Sequence, residues 1–374
     1  MSSAVVGVNL LWLVPGVVGG SEEYTVRLLR SLDRVDPDDI EVKLYAQPAL
    51  AEAYPDLVAR FETITRPSLF ANKLGRVAAE ASWLRSVAGD DDLLHHAGSP
   101  ALPMSRRPYV FTVHDLQPLD HPENFSRLKR TWLGKALPPS IQNAELVLCV
   151  SQFTADTVQR HFDLSPDRIR IVPHGHESVD AGVVDTEKDR QLRADFGRYF
   201  LLPAIAYPHK RHVDLVDALG MLASEFSDVS LVLTGGPGPE SARLDDHIDS
   251  LGLGDRVHRL GRLPEDELDH LYRSATALAF PSMYEGFGNP PLEAMARGCP
   301  VVATTAGSIP EVVGDAALMV PPCSPIDLAG ALRRILSEPD LVESLRAKGL
   351  DRARVFGWYP AGVALVDAYR DALA

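Results

Sequence analysis

The chain has 374 residues, is 45% hydrophobic and 24% charged, and carries a formal net charge of −14. That length exceeds what one hydrophobic core commonly serves, so two domains are expected. No stretch reaches the ~20 apolar residues of a membrane span, and the acidity excludes general nucleic-acid binding, which rests on a basic footprint. Residues 1–172 hold 18 basic and 21 acidic side chains, a net of −3, which leaves −11 for residues 173–374. An anionic ligand in the second half therefore needs a few placed cations and backbone dipoles. Cys149, Cys299 and Cys323 are far apart among small or apolar neighbours and read as reduced core thiols. Val5 to Val18 lacks a basic leader and is broken by Asn9, Pro15 and Gly16, so it reads as a buried strand entering a loop, and a cytoplasmic protein is expected.

Apolar runs then alternate with helical patterns, the signature of parallel sheets flanked by helices. Strands are predicted at Val5–Leu11, Ile40–Tyr45, Leu93–His96, Tyr109–Val113, Leu146–Val150 and Arg170–Val172, with a helix at Ser21–Leu32. Ser178–Arg193, rich in Asp and Glu, has little apolar periodicity and reads as a connection. Beyond it come strands at Phe200–Ile205, Ser230–Thr234, Val257–Leu260, Ala277–Phe280, Val301–Ala303 and Leu318–Val320. Helices there are predicted at Val213–Phe226, Glu265–Ser274, Pro291–Arg297 and Asp327–Leu336. The expected organisation is an N-terminal domain over 1–177, a linker over 178–193, a C-terminal domain over 194–355, and a last helix over 356–374 returning to the first domain.

In doubly wound folds ligands bind outside the carboxyl ends of the strands, so residues just after strands carry the chemistry. After the first strand, Gly16-Val17-Val18-Gly19-Gly20-Ser21-Glu22-Glu23 either brings backbone amides and a helix N-terminus to a phosphate or is a tight turn capped by Ser21. Thr112-Val113-His114-Asp115 ends an apolar strand. His114 there can donate to a sugar hydroxyl or a phosphate with Asp115 orienting it, or can be satisfied by backbone, and His95-His96 poses the same choice. Tyr207-Pro208-His209-Lys210-Arg211-His212 is a cation cluster at a strand end and a candidate diphosphate clamp. Pro281-Ser282-Met283-Tyr284-Glu285-Gly286-Phe287-Gly288-Asn289-Pro290-Pro291-Leu292-Glu293 runs from a strand through a glycine loop into a helix, whose N-terminal amides and two carboxylates can border one crevice. The Asp-x-Asp pattern in Asp90-Asp91-Asp92 precedes its strand and reads as a solvated loop, so no metal site is expected.

This last string resembles the Glu-x7-Glu signature of the family-4 retaining glycosyltransferases. Ala144-Glu145-Leu146-Val147-Leu148-Cys149-Val150-Ser151-Gln152-Phe153-Thr154, Ile171-Val172-Pro173-His174-Gly175, Leu233-Thr234-Gly235-Gly236 and Leu260-Gly261-Arg262-Leu263 resemble further family motifs in the same order. The resemblance implies the GT-B architecture, two Rossmann-like α/β domains facing a central cleft. It implies Glu293 on the nucleotide ribose, Glu285 on the transferred sugar, and Gly286, Phe287 and Gly288, with Asn289 beside them, on sugar hydroxyls. Lys210 would hold the diphosphate, Gly19 and Gly20 the same phosphates from across the cleft, and His114 would meet the sugar near its 6-hydroxyl. Gly235, Arg262 and Leu263 fall on the nucleotide side. Many relatives carry an arginine where this chain has Ala204, so either Arg211 compensates or the diphosphate clamp is weaker.

The reaction so implied moves a hexose from a nucleotide-diphosphate sugar to a hydroxyl acceptor by front-face attack, with Lys210 and helix N-termini stabilising the departing diphosphate and no cofactor required. GDP-mannose is the first expectation for the donor and UDP-glucose the second. A two-domain epimerase or phosphorylase, or a non-catalytic sugar-nucleotide-binding module, would share the architecture. On the acceptor side, Phe125 to Ser140 carries Arg127, Lys129, Arg130 and Lys135 without an acidic residue, interleaved with Leu128, Trp132, Leu133 and Leu137. This segment either packs on the sheet or holds the protein weakly on an anionic bilayer, next to a glycan, lipid-linked or small hydroxyl acceptor.

Overall fold

A computed structural model describes residues 3–17, 19–66, 75, 79–101, 108–177 and 186–374. The chain forms two compact units, Met1–Gly175 with Gly357–Ala374, and His176–Phe356.

The first unit is built on β1 (Ala4–Asn9), β2 (Ile40–Ala46), β3 (Glu62–Thr65), β4 (Leu93–His96), β5 (Tyr109–Val113), β6 (Leu146–Cys149) and β7 (Ile169–Ile171), paired in parallel in the order β3-β2-β1-β4-β5-β6-β7. The central strands β4, β5 and β6 are buried at every position, because a parallel sheet is covered on both faces and its strands read as continuous apolar runs. Edge strand β3 has the sequence Glu-Thr-Ile-Thr and no fully buried position, which is why no apolar run announces it.

The second unit is built on β8 (Arg198–Pro203), β9 (Val229–Thr234), β10 (Val257–Gly261), β11 (Ala277–Phe280), β12 (Val301–Thr304) and β13 (Ala317–Val320), in the order β10-β9-β8-β11-β12-β13, again all parallel. Each sheet starts in its middle and grows first to one side, then to the other. The reversal falls between β1 and β4 in one unit and between β8 and β11 in the other, and crossovers leaving to opposite faces open a crevice there.

Several details depart from the sequence reading. Within the segment read as a linker, residues 178–185 lie outside the described residues, while Glu187–Phe196 is a helix with a reciprocal capping box between Thr186 and Asp189. It buries only Asp189, so its periodicity is carried by polar residues and escapes an apolar count. Ser21 is not a cap: the helix Gly20–Val35 starts at Gly20, with Gly19 at φ 80° before it. Cys149 and Cys299 are buried thiols but Cys323 is exposed, at φ 59°. Among the described residues no helix is long and apolar enough to cross a membrane.

The last helix, Trp358–Leu373, packs on Gly20–Val35 within the first unit. Gly362 sets the approach, since a Cβ there would meet Ser31 Oγ at 2.4 Å and Val35 Cγ2 at 3.1 Å. Gly362→Val is therefore expected to destabilise this unit by about 2 kcal/mol through overpacking. Trp12, Trp83, Trp132 and Trp358 are all the tryptophans and all lie in the first unit, so urea unfolding followed by tryptophan fluorescence isolates it. An unchanged midpoint would show that the two helices are not in tight contact at Gly362.

Candidate active site

The reversal point of the second unit brings two separate sequence motifs together. After β8 the chain makes a single 3-10 turn, Pro208–Lys210, and after β11 it enters the Glu285 loop. Lys210 Nζ donates to Glu285 Oε1 at 2.6 Å, and its ammonium lies over the Phe280 ring, 5.3 Å from the centroid. Both side chains are mostly withdrawn from solvent, 18% and 12% exposed, so each charge has the other as its near compensation. The Met283 amide donates to the His209 carbonyl at 2.8 Å and clips the two loops together.

The Glu285 backbone is held from a third strand end. After β12, the Ser308 amide and hydroxyl donate to the Glu285 carbonyl at 3.2 and 3.0 Å, and the hydroxyl also reaches the Phe287 carbonyl at 2.8 Å. Gly307, at φ 60°, is required there because a Cβ would stand 2.5 Å from the Glu285 carbonyl oxygen. Phe287 is buried edge-on against Phe356, with ring centroids 5.7 Å apart. Gly288, at φ 92°, precedes the helix Asn289–Ala296, which begins two residues before the position its prolines indicate. Asn289 Oδ1 is buried with no partner among the described residues.

Glu293, in the same helix, accepts a hydrogen bond from Tyr272 at 2.7 Å. Burial and the neighbouring carboxylate raise the Tyr272 phenol well above its ordinary pKa, so it stays a protonated donor. Arg297 completes the group, donating to the Glu293 carbonyl at 3.1 Å with its guanidinium 5.5 Å from the Tyr272 ring centre. Tyr272 and Ser308 carry no motif of their own and were invisible in the sequence.

Arg211 is held within its own turn. It sits in the left-handed region at φ 53°, and both arms of its guanidinium close on buried Asp214, at 2.9 and 2.6 Å. Its charge is thus already matched inside its own turn, as that of Lys210 is by Glu285. Gly235, at φ 116°, lies against Ala204, where a Cβ would come within 2.8 Å of the carbonyl carbon, and its amide donates to the Gly261 carbonyl at 2.7 Å. The turns after β9 and β10, which carry Gly235, Arg262 and Leu263, are thereby joined on the same sheet edge, with Arg262 exposed and Leu263 half-buried.

In the first unit, Trp12 follows β1, Ala97 and Gly98 follow β4, and His114 follows β5. His114 Nε2 lies 2.9 Å from the Ala97 carbonyl, so it carries the proton and Nδ1 keeps its lone pair, buried and without a partner among the described residues. Burial holds the ring neutral, with its pKa pushed down to about 4. Two expectations change. Asp115 Oδ1 accepts the Gln117 amide at 2.9 Å, so the carbonyl of Ala97 and not Asp115 orients the ring, and the available nitrogen accepts a hydrogen bond where donation was expected. Trp12, also missed, presents a buried indole N–H without a partner among the described residues, 6.3 Å from the His114 ring between centroids. Gly98 makes room for it, since a Cβ would lie 2.3 Å from Trp12 Cζ2.

Around Gly19 and Gly20 a Cβ would meet nothing within 4 Å, so that turn is open, and Val18 lies outside the described residues. Buried Glu22 braces the turn by accepting the Gly16 amide at 2.8 Å and the Tyr54 hydroxyl at 2.6 Å. His95 takes the structural alternative, 2.7 Å from both the Tyr369 hydroxyl and Thr112 Oγ1. Asp90 and Asp92 are exposed, as a solvated loop requires, while Asp91 is a buried acceptor for Tyr45 and Asp92 also accepts the Val5 amide. Among the described residues no three His, Cys, Asp or Glu side chains are grouped to hold a metal. The helix Arg127–Gln142 buries Leu133, Leu137 and Ile141, while Arg127, Lys129 and Arg130 stand exposed beside Leu128, 83% exposed, and Trp132, 37% exposed.

Two family models cover nearly all of this architecture. Residues 18–178 match the Glycosyltransferase Family 4 model, and residues 183–352 match Glycosyl transferases group 1. The chain is 30% identical to O-antigen chain mannosyltransferase B of Escherichia coli over 75% of its own length and 74% of that protein's. It is 31% identical to the MMP alpha-(1->4)-mannosyltransferase of Mycolicibacterium hassiacum, over 82% and 76%. In fold it is similar to the Anabaena protein HepE, solved with UDP and glucose, with a TM-score of 0.77 at 23% identity, covering 98% of this chain and 99% of the other. The fold is GT-B, and the chain belongs to the family-4 glycosyltransferases. It is a glycosyltransferase of glycan biosynthesis.

The buried histidines set a pH dependence. Burial lowers His95 to about 3 and His96 and His114 to about 4, against an unfolded value of ~6.5. Below pH ~6.5 the unfolded chain binds protons that the folded unit excludes, so stability is full above that value and is lost as pH falls toward about 4. Each group contributes roughly 1.4 kcal/mol per pH unit in that window. Fluorescence-detected unfolding is expected to show the first unit clearly weaker at pH 5.0 than at pH 7.5, and equal midpoints would contradict the neutral, buried assignment.

Proposed function

We propose that this glycosyltransferase is a retaining, metal-independent mannosyltransferase that uses GDP-mannose, with UDP-glucose as the second candidate donor. The pairing of Lys210 with Glu285 at the reversal of the second sheet carries the reading, and the two mannosyltransferase relatives favour the sugar. The HepE structure with UDP and glucose is the observation behind the second donor.

In this reading the arriving diphosphate takes Lys210 from Glu285, and the released carboxylate accepts hydrogen bonds from the sugar. The bond from the anomeric carbon to the diphosphate oxygen breaks, and Lys210 with the Asn289–Ala296 helix N-terminus, Gly286, Phe287 and Gly288 stabilises the charge that develops. The acceptor hydroxyl attacks the same face, and its proton passes to a donor phosphate oxygen. Glu293 holds the ribose with Tyr272 fixing its carboxylate. Asn289 offers an acceptor, and Gly19 and Gly20 approach the phosphates. Gly235, Arg262 and Leu263 border the base. His114 accepts a sugar hydroxyl at Nδ1, and Trp12 is its natural companion donor. Asp115, Arg127, Lys129 and Arg130 are given to the acceptor side, a glycan, lipid-linked or small hydroxyl compound at the cytoplasmic membrane face.

Glu285→Gln is expected to lower kcat by about 100-fold with donor Kd within a few-fold, because its contacts are on the reacting sugar. Glu293→Gln and Tyr272→Phe should instead weaken donor binding by about tenfold with a smaller change in kcat, and wild-type turnover should persist in excess EDTA. Titration calorimetry with GDP-mannose alongside steady-state kinetics reads both quantities; unaltered donor affinity in Glu293→Gln would remove the ribose assignment.

The exposed pair Leu128 and Trp132, set among Arg127, Lys129 and Arg130, supports weak attachment to anionic bilayers. Co-sedimentation with phosphatidylglycerol vesicles is expected at low salt, falling as salt rises and on replacing the three cations by Gln. Equal recovery with neutral and anionic vesicles would favour a soluble acceptor.

A further inference from the structure

At the reversal of the first sheet, the turn after β1 is fixed from several sides. The Leu11 amide donates to Asn9 Oδ1 at 3.1 Å, Gln47 Nε2 donates to the Leu11 carbonyl at 2.7 Å, and the Leu13 amide donates to the Leu10 carbonyl at 3.0 Å. This turn holds Trp12, 5% exposed, with its indole N–H buried and without a partner among the described residues. Packing alone asks only for the apolar body of an indole, and a buried donor left unmet forfeits the hydrogen bond it makes in water.

The dipeptide after β4 sets this ring and that of His114 together. The Ala97 carbonyl takes the His114 Nε2 proton at 2.9 Å, and Gly98 leaves the floor on which the indole lies, since a Cβ there would stand 2.3 Å from Cζ2 and 2.4 Å from Cε2. Tyr24 braces His114 edge-on, 5.3 Å away between ring centroids, and its hydroxyl is spent on the Val172 carbonyl at 2.9 Å. One donor, Trp12 Nε1, and one acceptor, His114 Nδ1, are left over on rings 6.3 Å apart between centroids. Together they match an alcohol, which accepts through its oxygen and donates through its proton. A methyl group would leave both unmet, and a carboxylate would set its lone pairs against that of Nδ1, on a ring that burial keeps neutral. Both nitrogens are withdrawn from the surface, so a hydroxyl on a rotatable arm reaches them more readily than one fixed to a sugar ring.

We propose that Trp12 is a specificity residue, which with His114 reads the primary hydroxyl of the transferred hexose and rejects 6-deoxyhexoses and hexuronates. That His114 faces this sugar rests on the proposed function; the selection imposed by Trp12 goes beyond it.

The test is titration calorimetry of the full chain, which needs no acceptor, on wild type and Trp12→Phe. The probes are GDP-mannose, its 6-deoxy analogue and GDP-mannuronate, with UDP-glucose, its 6-deoxy analogue and UDP-glucuronate as the second set. Wild type is expected to bind the hexose donor about 30-fold or more tighter than either analogue, and Trp12→Phe to narrow the gap to the 6-deoxy analogue about fivefold. A merely structural Trp12 would lower stability and leave that ratio where it was. In wild type labelled at its indole nitrogens, one of the four tryptophan N–H resonances should move with the hexose donor but not with the bare nucleotide or the 6-deoxy analogue. That resonance should be the one missing from Trp12→Phe, and should the variant not fold, the selective shift in wild type decides. An unchanged ratio in folded Trp12→Phe, or no indole resonance selective for the hexose donor, overturns the role of Trp12 and leaves the proposed function standing. Failure of wild type to bind any donor of either set overturns the proposed function and the selection with it.

Discussion

Parallel strand pairing with crossover connections is the constraint from which both units follow. When every strand of a sheet points the same way, all carboxyl ends emerge along one edge, and every loop that can carry chemistry is gathered there. The two series of strands must also leave the starting strand in opposite directions, which makes β1 and β8 the places where neighbouring loops diverge. Lys210 and Glu285 are 75 residues apart in the chain but leave adjacent strands at such a point, and that is what allows an ion pair between them.

In the function proposed above, that pair is how an acidic unit presents a cation to an anionic substrate. A lone ammonium withdrawn from water would be costly, and Glu285 together with the face of Phe280 compensates it until something better arrives. The helix bearing Glu293 is tied at its far end, where Arg297 shares Asp269 with Arg273. One eight-residue helix thus has its N-terminus on the edge that holds Lys210 and Glu285, while its C-terminus is tied through Asp269 to the opposite edge.

The fold class was legible because most of these strands are apolar on both faces, and few architectures besides a helix-covered parallel sheet alternate such runs with helical patterns. One strand escaped where that signal lapses, Glu62–Thr65 at the sheet margin, and so did the polar helix Glu187–Phe196. Glu285, Glu293, Lys210 and His114 stood out as residue types following strands, but the groups that hold Glu285, Glu293 and His114 in place did not. Tyr272, Ser308 and the Ala97 carbonyl reach them through strand order, which one sequence does not display. Arg211 was read by charge alone. Its left-handed backbone turns the guanidinium onto Asp214, three residues on, and only coordinates reveal that local competition.

The Trp358–Leu373 helix bears on how the chain acquires its shape during synthesis. The second unit is a continuous stretch and has all its parts once Phe356 has emerged, whereas the first waits for residues that follow it. At translation speeds of about 5–20 residues per second, the groove along Gly20–Val35 stays uncovered for several seconds to tens of seconds while the second unit is made. Tyr369, which reaches His95 at 2.7 Å, then arrives as a late plug in a half-built core. The later-encoded unit is therefore the first able to finish folding, and the interval leaves the nascent N-terminal half dependent on whatever shields its open groove.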